Sequence, residues 1–148
     1  MTADPAVVRA LALTPWSPPE DHIIDITTTG AKTGRPRRIE IWFHRVEGHF
    51  YLTGMPTPRS WYANLLANPR FTFHLKREVK ADLPATATLV GPRDRRRALT
   101  AIVSQQDLPA YAARGVPRQD LDTWLARSPL IEILFDDQEL RAVAATAP

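Results

Sequence analysis

The chain has 148 residues, 44% of them apolar, which is the length of one domain with a core that needs neither metal nor crosslink to hold it. It contains no cysteine, so a disulfide framework, a thiol nucleophile and a thiolate metal site are excluded. The net charge of +3 is modest, but arginine gathers at Lys32–Arg38 and Arg93–Arg97, a distribution that favours acidic ligands without the recognised module that nucleic-acid binding would require.

In chain order, Pro5 to Leu13 carries a short helical pattern in Val7, Val8, Leu11 and Leu13, which stops at Pro15 and the Pro18-Pro19 break; residues 1–20 read as an N-terminal arm ahead of a single domain, 21–148. Ile23, Ile24 and Ile26 lead into a threonine run. Beyond a glycine turn, Ile39, Ile41 and Phe43 alternate with Arg38, Glu40, Trp42 and His44, which predicts two antiparallel strands. Val46-Glu47-Gly48 is a tight turn, and His49 to Thr53 continues the meander. After the break at Gly54 to Arg59, Ser60 is placed to cap a short helix, Trp61 to Ala67, that Asn68-Pro69 stops. Arg70 to Leu75 and Ala85 to Val90 read as the fourth and fifth strands. Helices follow over about Arg93–Gln105 and Pro117–Ala126, with the arginine cluster as a solvated face, and Leu130 to Phe135 forms a last apolar strand. Five or six antiparallel strands with helices between them predict an α+β barrel; a doubly wound sheet fails, because three consecutive strands leave no room for crossover helices and no G-x-G-x-x-G is present.

The densest chemistry lies in Thr27 to Arg38, where Gly30 and Gly34, four threonine hydroxyls and the cations Lys32, Arg35, Arg37 and Arg38 share one strand-turn-strand. Glycine lets the backbone approach a guest, and hydroxyls, amides and charge suit phosphate or carboxylate. The same turn is also what a solvated hairpin would carry. A nucleoside-triphosphate loop is excluded, since Lys32-Thr33 precede the second glycine instead of following it. A second piece, Arg59 to Pro69, presents helix-start amides beside Trp61 and Tyr62, which suits a flat ring with an anion, or a helix merely anchored by its aromatics. His22, His44, His49 and His74 sit on separate strands and do not make a metal site, and His44 and His74 read as surface strand residues, with a place facing a ligand cavity as the alternative. Ser60 and Ser104 lack the setting of a nucleophile, and the carboxylates are scattered.

Together the two pieces resemble the deazaflavin-dependent nitroreductase family, split-barrel flavin and deazaflavin oxidoreductases of actinobacteria. The resemblance rests on Thr28-Thr29-Gly30-Ala31-Lys32-Thr33-Gly34-Arg35-Pro36-Arg37, on the strand Phe50 to Gly54, and on Trp61-Tyr62 through Asn64-Leu65-Leu66-Ala67-Asn68-Pro69. It spans roughly Asp25 to Phe135. It implies a split β-barrel of about six strands that binds coenzyme F420, whose tail carries a phosphate and glutamates. Lys32 and Arg37 would hold that tail, with Thr33, Arg35 and Arg38 as helpers. Thr53, Gly54 and Met55 would lie beside the ring, and Ser60 and Trp61 would close the pocket. The implied activity is hydride transfer from the reduced coenzyme to a small acceptor such as a quinone, an enone or a nitroaromatic. An FMN-dependent flavoprotein and a non-catalytic binding protein for a cofactor or lipid are the alternatives. Glu40 stands where many relatives have proline, and Val116 to Trp124 lacks the phenols of nitro-reducing members, which leaves Tyr111 as the nearby catalytic candidate. The expected setting is cytoplasmic; a homodimer and a peripheral membrane contact through the Pro5–Trp16 arm remain open.

Overall fold

The computed structural model describes residues 4–145. Six strands, β1 (Ile23–Thr29), β2 (Pro36–Val46), β3 (His49–Thr53), β4 (Arg70–Lys76), β5 (Lys80–Leu89) and β6 (Leu130–Phe135), close into a barrel in the order β1-β2-β3-β6-β5-β4. All its pairings are antiparallel. The alternation read from the sequence fills it: Ile24, Ile26, Phe43, Phe50, Phe71, Phe73, Ile131, Ile133 and Phe135 point inward and are buried. Phe73 meets Phe43 and Phe135 edge to face at centroid distances of 5.1 and 5.2 Å. Removing that fully buried ring would cost about 3–5 kcal/mol, transfer and cavity terms together. The β2–β3 hairpin turns on Glu47 and Gly48, both at positive φ (49° and 81°), the backbone that a two-residue connection of matching twist requires.

The antiparallel order puts the β1–β2 turn, the end of β3 and the starts of β4 and β6 at one end of the barrel. Helix α2 (Ser60–Ala67) plugs this end by burying Trp61 and Leu65 in the core. At the β4–β5 hairpin end, α1 (Pro5–Leu11) and the residues after it send Val7, Leu11 and Leu13 into the same core, together with Leu140. The arm segment is therefore packed into the barrel. Outside, α3 (Pro92–Gln106) lies over the sheet: Ala98, Leu99, Ile102 and Val103 pack on Tyr51 of β3, Trp124 and Leu130.

Several expectations change. Ser60 is the first helical residue of α2; the N-cap is Arg59, and no side chain caps the helix. β5 starts at Lys80, five residues before the expected boundary, because its register with β4 continues down to Lys76↔Lys80. A short α4 (Pro109–Ala112) that was not expected precedes α5 (Leu121–Arg127), the helix expected over about Pro117–Ala126, which starts later because Asp120 caps it, its carboxylate accepting from the Thr123 amide. A helix the sequence did not announce, α6 (Gln138–Ala145), follows β6. His44 and His74 are buried rather than on the surface, as is His22.

Candidate functional site

At the plugged end, the turn after β1 is built around Gly30. Its amide donates to the Arg35 carbonyl (2.8 Å) and its carbonyl accepts from Gly34 (2.9 Å), while Gly34 takes φ 69°. A Cβ at Gly30 would lie 2.6 Å from Thr33 Oγ1, so any side chain there would force the Thr33 hydroxyl out of the turn. The Thr33 hydroxyl is used within the turn, accepting from the Arg35 amide at 3.2 Å.

Helix α2 holds this turn in place. Buried Asn64 accepts from the Ala31 amide through Oδ1 (2.9 Å) and donates through Nδ2 to Thr28 Oγ1 (3.1 Å), and Asn68 donates to the Thr29 carbonyl. The backbone is thus fixed while its side chains are left outward: Lys32, Arg35 and Arg37 are exposed and have no ion-pair partner among the described residues. Arg38 differs, because its Nε donates to Asp25 at 2.9 Å. Lys76 bridges Asp25 (2.6 Å) and Glu40 (2.5 Å), so the carboxylate that stands in place of proline has its own cation. Burial works to raise the Asp25 carboxyl, but the hydrogen bonds from Lys76 and Arg38 outweigh it and hold it below the usual carboxylate range.

The other expected residues divide. Thr53 is buried and donates to the Pro129 carbonyl, and Trp61 is committed to the core, so each shapes the wall from behind. Gly54, Met55 and Ser60 lie towards solvent, with Arg59 folded back over Gly54. Between this loop, α2 and the α5–β6 junction opens a cleft of about 610 Å³, lined by Pro56 to Arg59, Tyr62, Arg95 and Leu125 to Pro129. Arg95, from the cluster read as a solvated face, instead reaches the carbonyls of Trp124, Leu125 and Ser128 at 2.7–3.2 Å and neutralises the C-terminal end of α5. The sequence shows Tyr62 as an aromatic face beside Trp61 and Arg95 only as solvated; it does not single out Arg127 or the bridging role of Asn64. Tyr62 and Asn64 stand inside the Arg59–Pro69 segment, but nothing local marks what they touch.

Tyr111, the catalytic candidate, is buried away from this cleft. Its hydroxyl is within 2.8 Å of both the Ser17 carbonyl and His22 Nε2, and burial pushes its ionisation up. His22 donates from Nδ1 to the Phe43 carbonyl at 2.7 Å and stacks on Trp42, and its ring centroid is 5.1 Å from that of His44. Burial lowers both imidazoles, His44 the further, with His22 adding to the effect, and His44 Nδ1 has no partner. His74 lies on the outer face with Nε2 2.7 Å from Thr27 Oγ1 and Nδ1 2.6 Å from Asp82. Among the described residues no three acidic, histidine or cysteine side chains are placed to hold a metal, and no helix is long and apolar enough to cross a membrane.

A closed six-stranded antiparallel barrel with short helices defines a split-barrel fold, here with a cationic turn beside a cleft at one end. Residues 15–120 match the F420H(2)-dependent quinone reductase family, and the chain belongs to that family. Among solved structures it is similar to the conserved hypothetical protein Rv2991 from Mycobacterium tuberculosis, with 12% identity, a TM-score of 0.62, and 93% of this chain and 82% of that one covered. It is also similar to an F420 reductase, with 18% identity, a TM-score of 0.55, and 78% and 88% covered. These likenesses are of fold. The protein is an F420-dependent reductase and coenzyme F420 is its cofactor. The turn suits that coenzyme, since three unpaired cations on a fixed, exposed backbone match a polyanionic tail.

Proposed function

We propose that the protein reduces a small quinone-class acceptor with reduced F420, and that Lys32 and Arg37, with Arg35 beside them, hold the coenzyme tail. Thr33 supports the site by fixing the turn. Arg38, shared with Asp25, contributes a weaker field. The ring would lie along Gly54 and Met55 and the start of α2 at Ser60, with Thr53 and Trp61 keeping that wall rigid from the core side. When bound, the reduced deazaflavin supplies a hydride from its C5. The chain's own part is to fix the coenzyme by its charged end, to orient the ring at the mouth of the cleft, and to keep water from the reacting face with Pro56, Pro58 and Pro129.

The observation that carries this reading is the connection through α2. The helix that pins the cationic turn through Asn64 also lines the cleft through Tyr62 and its N-cap Arg59, so tail and acceptor positions share one rigid element. The test is a fluorescence titration with oxidised F420 beside FMN. Wild-type protein is expected to prefer F420. Lys32→Ala with Arg37→Ala is expected to lose about a hundredfold in affinity, the effect of two charge-assisted contacts, with no change in melting. Equal affinity in the double variant, or a preference for FMN, would remove the tail assignment.

A further inference from the structure

The cleft between α2 and the α5–β6 junction is chemically one-sided. Arg59 and Arg127 are exposed and have no ion-pair partner among the described residues, and Tyr62 presents a phenol. The Arg95 guanidinium is satisfied by main-chain carbonyls, so no carboxylate cancels its charge. Ser128, 3% exposed, has a hydroxyl with no partner among the described residues. Neither aspartate nor glutamate lines the cleft, and α2 enters its wall with uncapped first-turn amides. By contrast, the cleft of about 380 Å³ beside α1 mixes Glu20, Asp21 and Glu78 with Arg9, Lys76 and Arg77 and favours neither sign. Cationic and phenolic donors in one lining with Pro56, Pro58, Leu125 and Pro129 suit a flat apolar body that bears a negative oxygen.

We propose that Arg59 and Arg127 receive the acceptor oxygen that becomes negative during reduction, and that Tyr62 protonates it; this rests on the reductase reading above. With a conjugated carbonyl acceptor, a C–H bond forms at the far carbon as the hydride arrives, the carbon–carbon π pair shifts, and the carbonyl pair moves onto oxygen. The coenzyme is oxidised by two electrons and the acceptor reduced by two. The enolate oxygen sits against the guanidinium groups, an O–H bond forms with the Tyr62 proton, and the phenolate regains a proton from water. For a quinone the hydride forms an O–H bond at one carbonyl oxygen, the ring π pairs shift, and the opposite oxygen, now that of the hydroquinone monoanion, is the one held by the arginines and protonated. Fixed cations at the place where charge develops stabilise the reacting state more than the ground state.

The test compares wild type with Arg59→Gln/Arg127→Gln and with Tyr62→Phe. The apo-protein is titrated with 2-naphthoate and, as the neutral control, 2-acetonaphthone. Oxidised F420 is titrated separately, and menadione reduction is followed at steady state. Wild type should favour the naphthoate by about tenfold, the arginine pair should lose that preference while keeping its F420 affinity, and its KM for menadione should rise by about tenfold. Lysine at both positions should restore part of the loss. Tyr62→Phe should lower kcat and move the alkaline limb of the pH profile, leaving KM unchanged. Weakened F420 binding with naphthoate binding intact would assign the arginines to the coenzyme tail, and no change in any readout would make them solvated surface; either overturns the proposal. If wild type fails to bind F420 yet shows a naphthoate preference that the arginine pair abolishes, the reductase reading falls while the anion subsite stands.

Discussion

Asn64→Ala tests the joint on which the site depends. The carboxamide makes one bond to the Ala31 amide and one to Thr28 Oγ1, from a residue 8% exposed. Truncation leaves the amide and the hydroxyl to find water at a helix–strand junction, and two such bonds contribute about 2 kcal/mol together. In a chain of this size that lowers Tm by roughly 4–8 °C. Because Ala31 directly precedes Lys32, the turn also loses its fixed backbone, and F420 affinity should fall by about tenfold as ordering is transferred to the binding step. Thermal melting by circular dichroism and fluorescence titration with oxidised F420 read the two effects separately. A melting curve identical to wild type would refute the bridge as a structural joint. A lowered Tm with unchanged affinity would show that the turn does not carry the tail.

Gly30→Ala should destabilise by about 1–3 kcal/mol by driving a methyl group into Thr33 Oγ1, and adding Thr33→Ala should recover part of the Tm, which differential scanning calorimetry would show. Arg95→Met should cost about 3 kcal/mol by stripping the C-terminal carbonyls of α5 of their donor, visible as an earlier urea midpoint and faster proteolysis at residues 121–129. His22 and His44 are held neutral below the ordinary value of 6.5, so the unfolded chain takes up protons first as pH falls. Their contribution is fully present above about pH 6.5 and declines below it, and Tm measured from pH 7.5 to 5 should drop. His44→Leu should flatten that decline; a slope equal to wild type would mean the buried imidazole is not its source.

The barrel was legible because inward residues of β1 and β4 alternate strictly, Ile24 with Ile26 and Phe71 with Phe73, and period-2 patterning needs no long-range knowledge. His44 misled because it breaks that rule. Phe43 faces the core, and His44 on the opposite face is buried as well, since its cross-strand partner Tyr51 lies under α3. Helix α6 went unseen because, among its residues whose side chains are described, only Leu140 is buried, too little to write a periodic pattern. The cations of the turn could be read from adjacency alone. Arg95 could not, because its carbonyl partners lie 29 to 33 residues along the chain. For the same reason Asn64 stood in the Arg59–Pro69 segment without showing that it reaches back to Ala31.

Closure of the barrel has a consequence for how the protein meets its neighbours. Each strand has a neighbour on both sides, but the two seams of β2 do not overlap: residues 36–42 pair with β1 and residues 43–46 with β3, so among the described residues the β3-facing side of 36–42 has no strand partner. Strand addition at the β4–β5 seam would require breaking a seven-residue register, whereas at residues 36–42 of β2 it would break none. This open stretch of β2 also carries Arg37 and Arg38 near its start, and like charges on an open edge oppose the approach of a second copy.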